Sequence, residues 1–412
     1  MEKLSILLGK GIRKASQIRG SGGSALPGLV VEKISPNFIR NTLEKLPYGV
    51  VVISGTNGKT TTTKIVSELL KKQGLKVFTN KTGSNFVRGV ISEILGKIKL
   101  NGTFDYDIAV LELDEAHAVK FSEVAPIDYA LILNVQRDQL DRFCEIDHTA
   151  ELLQKVASVA KQGVVLNRED PRVAKIKAEH TSYFGLSTAL QKQFPSDDDL
   201  LDKKHTTKKN QREASVILEK LKDNTATYKL DGKDYQTELT LKGIYNAYNA
   251  AGALALCKEI IKDTKPKQLL KGLSEVESAF GRGESFKING AEVELLLVKN
   301  PSAFELSLAS FADDSHDFMI AINDNIADGR DVSWLWNVDF TKLSKVAVTA
   351  GTRAADMALR LKYDEVRVAQ VVEDLDEATR KFTLANKKPK RIFATYTAML
   401  EIRKIISGKS IL

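Results

Sequence analysis

The residues with the clearest chemical potential are Gly55, Thr56, Asn57, Gly58, Lys59, Thr60 and Thr61, which sit between an apolar run and an amphipathic one. Glycines at 55 and 58 let backbone N–H groups approach phosphate oxygens without side-chain clash. A helix starting at this point turns its positive end toward the anion. Lys59 then reaches the outer phosphates of a nucleotide, and the Thr60 hydroxyl can ligate Mg²⁺. The loop is shorter than a Walker A motif, because Ile53 stands where that spacing wants its first glycine. The competing reading is a glycine turn with a chance lysine, but strand, loop and helix signals occur in the required order.

Two further elements bring polar groups to strand ends. In "AVLELDEAH" (109–117), Glu112 closes an apolar run, followed by Asp114 and Glu115. A carboxylate there faces the crevice where α/β enzymes bind ligands, and magnesium favours a few carboxylates with phosphate oxygens. Read alone, these acids are equally ordinary strand-end charges. In "LNVQRDQLDRFCEID" (133–147), Asn134, Arg137, Asp138, Asp141 and Arg142 follow another apolar run. They converge on a phosphate and its metal, or they cap a helix and pair on the surface.

These groups need a scaffold. "YGVVVIS" reads as a buried parallel strand, "TTTTKIVSELLKKQG" as a helix capped at Gly74, and "LKVFTN", "DIAVLELD", "YALILNV" and "GVVLN" as further strands separated by helical segments. Strands alternating with helices predict an α/β fold on a mostly parallel sheet. Residues 1–48 are mixed, with a turn-rich "GSGGSALPG". Residues 187–215 are polar and read as an exposed insertion. A second α/β pattern follows Ala279, with "VELLLVK", "DFMIAIN", "KVAVTAG" and "KPKRIFAT" as strands. The expected division is 1–278, an ATP-binding part with a polar insertion near 187–240, and 279–412, a Rossmann-like part.

Composition excludes several classes. A chain of 412 residues with 43% hydrophobic content supports more than one core. No apolar run is long enough to span a bilayer, and the N-terminal segment lacks a signal-peptide cleavage pattern. Cys144 and Cys257 form neither a disulfide framework nor a zinc motif, which suits a reducing cytosol. A net charge of +8 permits contact with phosphates or anionic head groups without demanding nucleic acid.

Taken in order, GTNGKT, the strand-end glutamate, the 134–141 segment, "LNREDP" (166–171) and "GIYNAYNAAGALA" (243–255) resemble the Mur ligase superfamily, in which a compact loop without the first Walker glycine is usual. "RDQLDR" stands where most of these ligases have D-H-L-D, so Gln139 replaces a metal-associated histidine. That variant, with "GSALPGLVVEKISP", "VKNPSAF", "NDNIADGRDVSWLWNVDF", "GTRAADMALRLKY" and "ATYTAML", is similar to the MurT family over nearly the whole chain.

The resemblance implies a Mur ligase-type P-loop ATPase fold and a peptidoglycan-synthesis enzyme. ATP would convert the D-glutamate α-carboxyl of the lipid II stem peptide to an acyl phosphate. Ammonia from a GatD-type glutaminase partner would then give D-isoglutamine. By matching motifs, Lys59 and Thr60 take the phosphate and magnesium positions, and Glu112 the magnesium glutamate. Asn246 approaches adenine, Arg282 reaches the phosphates, and Asp324 holds the ribose. Asp331 would complete the partner's Cys–His pair, with Asp328 and Asp339 as competitors for that role. Trp334 and Trp336 serve either as interface anchors or as core. Many family members carry a four-cysteine zinc ribbon. The corresponding region here, about 184–240, has no cysteine, so no zinc is expected, and a metal-free hairpin around Asp231-Gly232 would take its place. The expected location is the cytoplasm, at the inner membrane face, with only transient lipid contact. The alternatives are a free-standing Mur- or folylpolyglutamate-type ligase and a degenerate nucleotide-binding scaffold.

Overall fold

The computed structural model describes residues 2–18, 25–80, 85–137, 146–191, 193–194, 212–277 and 283–408. The first strands are β1 (Val50–Ser54), β2 (Val77–Thr79), β3 (Ile108–Glu112), β4 (Tyr129–Ile132), β5 (Gly163–Asn167), β6 (Thr181–Leu186), β7 (Val216–Lys222), β8 (Thr225–Leu230) and β9 (Lys233–Glu238). They form one sheet in the order β2-β3-β1-β4-β5-β6-β7-β8-β9. Pairing is parallel from β2 through β7, and antiparallel at β7–β8 and β8–β9. A second sheet holds β10 (Glu284–Ile288), β11 (Ala291–Leu297), β12 (Asp317–Ala321), β13 (Lys345–Ala350), β14 (Arg367–Val372) and β15 (Lys390–Ala394), in the order β10-β11-β15-β12-β13-β14. It is parallel except for the β10–β11 hairpin.

The central strand β1 is buried along its whole length, and its alternate side chains enter different cores. Val51 and Ile53 pack with the Lys59–Lys72 and Ile244–Ile260 helices. Val50 and Val52 face the opposite layer, with Phe38, Val90 and Phe121. The Ile244–Ile260 helix is alanine-rich and apolar all round, and it is buried on nearly every side, as such a helix must be. The second sheet has its own two cores, one on each face.

Three helices, Glu2–Ile18, Ala25–Ile34 and Phe38–Leu43, occupy the region that read as mixed and turn-rich. Pro27 falls in the first turn of its helix, where a missing N–H is tolerated. Gly28 is there for packing: a Cβ at this position would lie 2.0 Å from the Arg88 carbonyl oxygen. Strands β6, β7, β10 and β14 are absent from the sequence reading. β14 is a largely exposed edge strand without clean alternation, and β7 emerges directly from the polar stretch.

The expected hairpin exists. β8 and β9 pair on either side of Asp231 and Gly232, whose positive φ values of 51° and 75° suit a two-residue turn. It is anchored by packing: Tyr228 is fully buried, and its hydroxyl donates to the Ala247 carbonyl at 2.8 Å. Residues 195–211 and the expected junction at 278–279 lie outside the described residues. Among the described residues, no helix is long and apolar enough to cross a membrane. Tyr228→Phe is expected to lower stability by about 1 kcal/mol in denaturant titration, because a buried hydrogen bond that ties the hairpin to the Ile244–Ile260 helix is lost. If this anchoring replaces a metal, EDTA leaves the wild-type midpoint unchanged.

Candidate nucleotide site

β1 delivers Gly55–Gly58 between its two parallel neighbours, β3 and β4. Gly55 and Gly58 hold φ values of 127° and 88°. A Cβ at Gly58 would meet the Asn249 side-chain oxygen at 2.6 Å, so the left-handed turn and the close approach both require glycine. The loop is held from β4 by Asn134: Thr56 N donates to the Asn134 carbonyl at 3.0 Å, and Asn57 N donates to Asn134 Oδ1 at 2.7 Å. Asn134 Nδ2 in turn donates to the Asn57 carbonyl at 3.0 Å.

Lys59 opens the following helix and folds back over the loop. Its Nζ donates to the Gly55 carbonyl at 2.7 Å and pairs with Asp114 at 3.2 Å. The Thr60 hydroxyl donates to Glu112 Oε1 at 2.8 Å, with both residues buried. Asn80, just beyond β2, fixes the Glu112 backbone by donating to its carbonyl at 2.9 Å and accepting its N–H at 3.0 Å. Thr60 and Glu112 are the hard oxygen donors that Mg²⁺ prefers, and an ion held by one carboxylate completes its octahedron with phosphate oxygens and water. Among the described residues, no group of three or more His, Cys, Asp or Glu could hold a metal by itself.

Beside the loop lies a cavity of about 140 Å³. Asn57, Gly58 and Thr61 form one wall, and Phe194, Tyr245 and Tyr248 give it an aromatic one. Phe194 and Tyr248 meet edge-to-face at 5.1 Å. Asn246 is buried in the lining: its Nδ2 donates to the Lys242 carbonyl at 2.7 Å, while its Oδ1 has no hydrogen-bond partner among the described residues. A buried acceptor without a partner is costly. An amino group on a planar base would satisfy it, so the lining fits a nucleobase with an exocyclic amino group, as adenine has. Tyr248 donates to Asn167 Oδ1, and burial pushes its hydroxyl well above the usual range, so it stays a neutral donor. Burial likewise pushes Asp170 up to about 6, against three backbone N–H groups, of Val135, Arg172 and Val173, that donate to its carboxylate and favour the charged form.

The second sheet closes the site. Lys299, after β11, donates to the Thr56 carbonyl at 3.0 Å, and the Asn57 and Asn300 side-chain amides exchange hydrogen bonds at 3.1 and 3.2 Å. Asn300 also caps the Pro301–Phe311 helix by accepting from Ala303 N at 2.9 Å. The sequence reading did not single out Lys299 and Asn300, although their motif "VKNPSAF" was noticed; an Asn-Pro helix start after an apolar strand was the available signal.

The remaining expected residues are dispersed. Asp324 lies beyond β12, accepts from the Thr352 hydroxyl at 2.8 Å, and does not line the cavity. Asp331 is exposed, with Oδ1 accepting from Ser333 N at 2.8 Å. Asp328 is buried, and both of its oxygens are committed to Thr397 or Asn325. Asp339 is exposed and accepts from both the backbone and the hydroxyl of Thr341. Trp336 is half-exposed against Tyr363, whereas Trp334 packs toward Phe304. Arg282 and residues 138–145, including Asp138, Gln139, Asp141, Arg142 and Cys144, lie outside the described residues.

Two substitutions separate binding from chemistry. Asn246→Ala is expected to raise the Kd for ATP by roughly 5–30-fold in calorimetry, the loss of one buried hydrogen bond. Lys59→Ala is expected to lower single-turnover ATP cleavage by about 10²–10³-fold, because a preorganised charge is removed from the phosphate.

The Mur ligase middle domain family matches residues 53–257, and the MurT ligase C-terminal family matches residues 297–399. Subunit MurT of the lipid II isoglutaminyl synthase (glutamine-hydrolyzing) of Staphylococcus aureus strain COL is 32% identical over 92% of this chain and 91% of its own. The same-named subunit of Streptococcus pneumoniae is 30% identical over 94% of this chain and 93% of its own. Among solved structures, MurF ligase from Thermotoga maritima in complex with ADP superposes with a TM-score of 0.68 at 17% identity, covering 91% of this chain and 82% of its own. A pseudomurein peptide ligase type C from Methanothermus fervidus gives 0.68 at 18% identity, covering 88% and 79%. These two likenesses establish the fold. With curated relatives matched almost end to end and both halves recognised, this chain belongs to the MurT family, a branch of the ATP-dependent Mur ligases.

Proposed function

We propose that this chain is the ligase subunit of a lipid II isoglutaminyl synthase, acting in peptidoglycan biosynthesis with a GatD-type glutaminase. The observation that carries this reading is the alignment over 91% of the length of a relative named as that subunit. The formed GTNGKT loop and its neighbouring cavity supply the chemistry. In this account residues 1–278 bind ATP, and 279–412 close the site and face the partner.

A carboxylate at neutral pH resists attack by ammonia, and phosphorylation gives it a leaving group. The base of ATP occupies the aromatic cavity, with Asn246 Oδ1 accepting from its amino group. The phosphates lie at the N-terminus of the Lys59–Lys72 helix, beyond the loop N–H groups of Thr56 and Asn57 that Asn134 holds. Lys59 leaves its contacts with the Gly55 carbonyl and Asp114 and follows the transferring phosphoryl group. Thr60 and Glu112 would hold Mg²⁺, which would supply Lewis-acid stabilisation of the phosphate charge. The D-glutamate α-carboxylate oxygen attacks the γ-phosphorus, ADP leaves, and ammonia displaces inorganic phosphate from the acyl carbon. By motif, Arg282 is assigned to the phosphates and Asp324, in the segment after β12, to the ribose. With Lys299 and Asn300 already seated on the loop, the second sheet keeps water from the acyl phosphate. The lipid-linked substrate places the reaction at the inner face of the cytoplasmic membrane.

Asp331 is assigned as the third member for the partner's Cys–His pair: Asp328 is buried and internally committed, and Asp339, though also exposed, is engaged by both the backbone and the hydroxyl of Thr341, whereas Asp331 accepts from Ser333 N. The experiment supplies lipid II, ATP and Mg²⁺ with either ammonium or glutamine, with and without the glutaminase, and reads stem-peptide amidation by mass spectrometry. The expected result is amidation with ammonium in every case and with glutamine only when the partner is present. No amidation under any condition, with an active partner, overturns the reading. Asp331→Asn is expected to lower the glutamine-dependent rate by roughly 10³–10⁴-fold while sparing the ammonium-dependent one. Equal loss in both would remove Asp331 from that role.

A further inference from the structure

The Glu2–Ile18 helix is apolar on two opposite sides. Its inner side, Ser5, Ile6 and Gly9, is buried, and Gly9 abuts Val31 and Leu95. Its outer side carries Leu4, Leu7, Leu8, Gly11, Lys14 and Ala15, spaced at three and four residues, so they form one stripe. Leu4, Leu7 and Leu8 are 59%, 58% and 43% exposed, although the same helix buries Ile6 to 1%. The adjoining Ala25–Ile34 helix repeats the pattern, with Val31 fully buried and Leu26 and Ile34 51% and 45% exposed. Scattered exposed leucines are ordinary, but a cluster over two neighbouring helices marks a surface that meets something.

The charges on these helices indicate what that is. Lys14 and Lys33 are exposed and Lys10 is half-buried. Among the described residues, ion pairs on these helices belong to other groups: Arg13 pairs with Glu93 at 3.6 Å, and Glu32 pairs with Arg88 at 2.7 Å. Glu32 is thereby neutralised, and none of the described residues on the leucine stripe is acidic. Exposed leucines flanked by lysines, without a competing carboxylate, match a bilayer surface with anionic head groups: the leucines enter the acyl boundary while lysine stems lie along it with their ammonium groups at the phosphates.

We propose that the outer face of the two N-terminal helices, formed by Leu4, Leu7, Leu8, Leu26 and Ile34 with Lys10, Lys14 and Lys33, docks the chain on an anionic membrane surface. The purpose of this docking rests on the reading above, in which the substrate is lipid-linked, but the docking itself is measured without that substrate. A modest apolar area with a few cations gives reversible association, sensitive to charge and salt.

The test is co-sedimentation of the full chain with vesicles of phosphatidylcholine alone or mixed with phosphatidylglycerol, neither containing lipid II. Wild type is expected to bind the mixed vesicles, to bind phosphatidylcholine weakly, and to be released by high salt. Leu4→Ser/Leu7→Ser/Leu8→Ser and, separately, Lys10→Glu/Lys14→Glu/Lys33→Glu are each expected to lower the bound fraction by about 5–10-fold. Both retain ADP binding, since no altered residue lies in the nucleotide site, and amidation of a lipid-free muropeptide stays at its wild-type rate. Absence of vesicle binding by wild type, or equal binding by both variants, overturns the proposal. So does a wild-type dimer in sedimentation velocity that the leucine variant converts to monomer, for then a second copy covers this face. Vesicle binding without amidation would leave the docking surface standing and remove the enzymatic reading instead.

Discussion

The loop from Gly55 to Gly58 must present the N-terminus of the Lys59–Lys72 helix to an anion, and it is held in that shape from outside, with Thr56 N and Asn57 N both donating to Asn134. Much of the surrounding structure answers that constraint. Asn134 supplies a carbonyl and an amide from the end of β4, Lys299 and Asn300 supply an ammonium and an amide from beyond β11, and Asn249 packs against Gly58. Parallel strands on both sides fix where the loop begins, and the buried, alanine-rich Ile244–Ile260 helix brings Asn246 and Asn249 to the cavity.

The second sheet is tied to the first by more than the loop. Lys242, just ahead of that alanine-rich helix, donates to Glu294 of β11 at 2.5 Å, and Arg391 of β15 donates to the same carboxylate at 2.6 Å. Burial alone would push the Glu294 carboxyl up, but these two cations outweigh it and hold it below the usual range. The pairing is charged and directional and joins the segment ahead of the alanine-rich helix to the second sheet, which fixes their relative orientation.

Much of this was legible in the sequence because the signals are local. GTNGKT, the apolar run before it and the helix after it lie within some twenty residues, and strand-end position alone brought Glu112 to the loop. Asn246 was singled out by motif, and the structure places it in the cavity lining with its Oδ1 unpartnered among the described residues. The Asn-Pro helix start at Asn300 was legible, but the contact of Lys299 and Asn300 with Thr56 and Asn57 was not, since it spans 243 positions of chain and only the packing of two sheets makes it. The N-terminal helices were missed because Gly20–Gly28 carries turn residues, while Gly28 in fact serves a close helix contact. β14 was missed because an exposed edge strand lacks the apolar alternation that sheet burial imposes.

The central claim is that this site transfers a phosphoryl group to a carboxylate before nitrogen attacks. Lipid II labelled with ¹⁸O in the D-glutamate α-carboxylate tests it directly, with the released inorganic phosphate analysed by mass spectrometry. An acyl phosphate requires one labelled oxygen to leave with phosphate for each amide formed. Amide formation with unlabelled phosphate would contradict the account, because the carboxylate oxygen would then have left by another route.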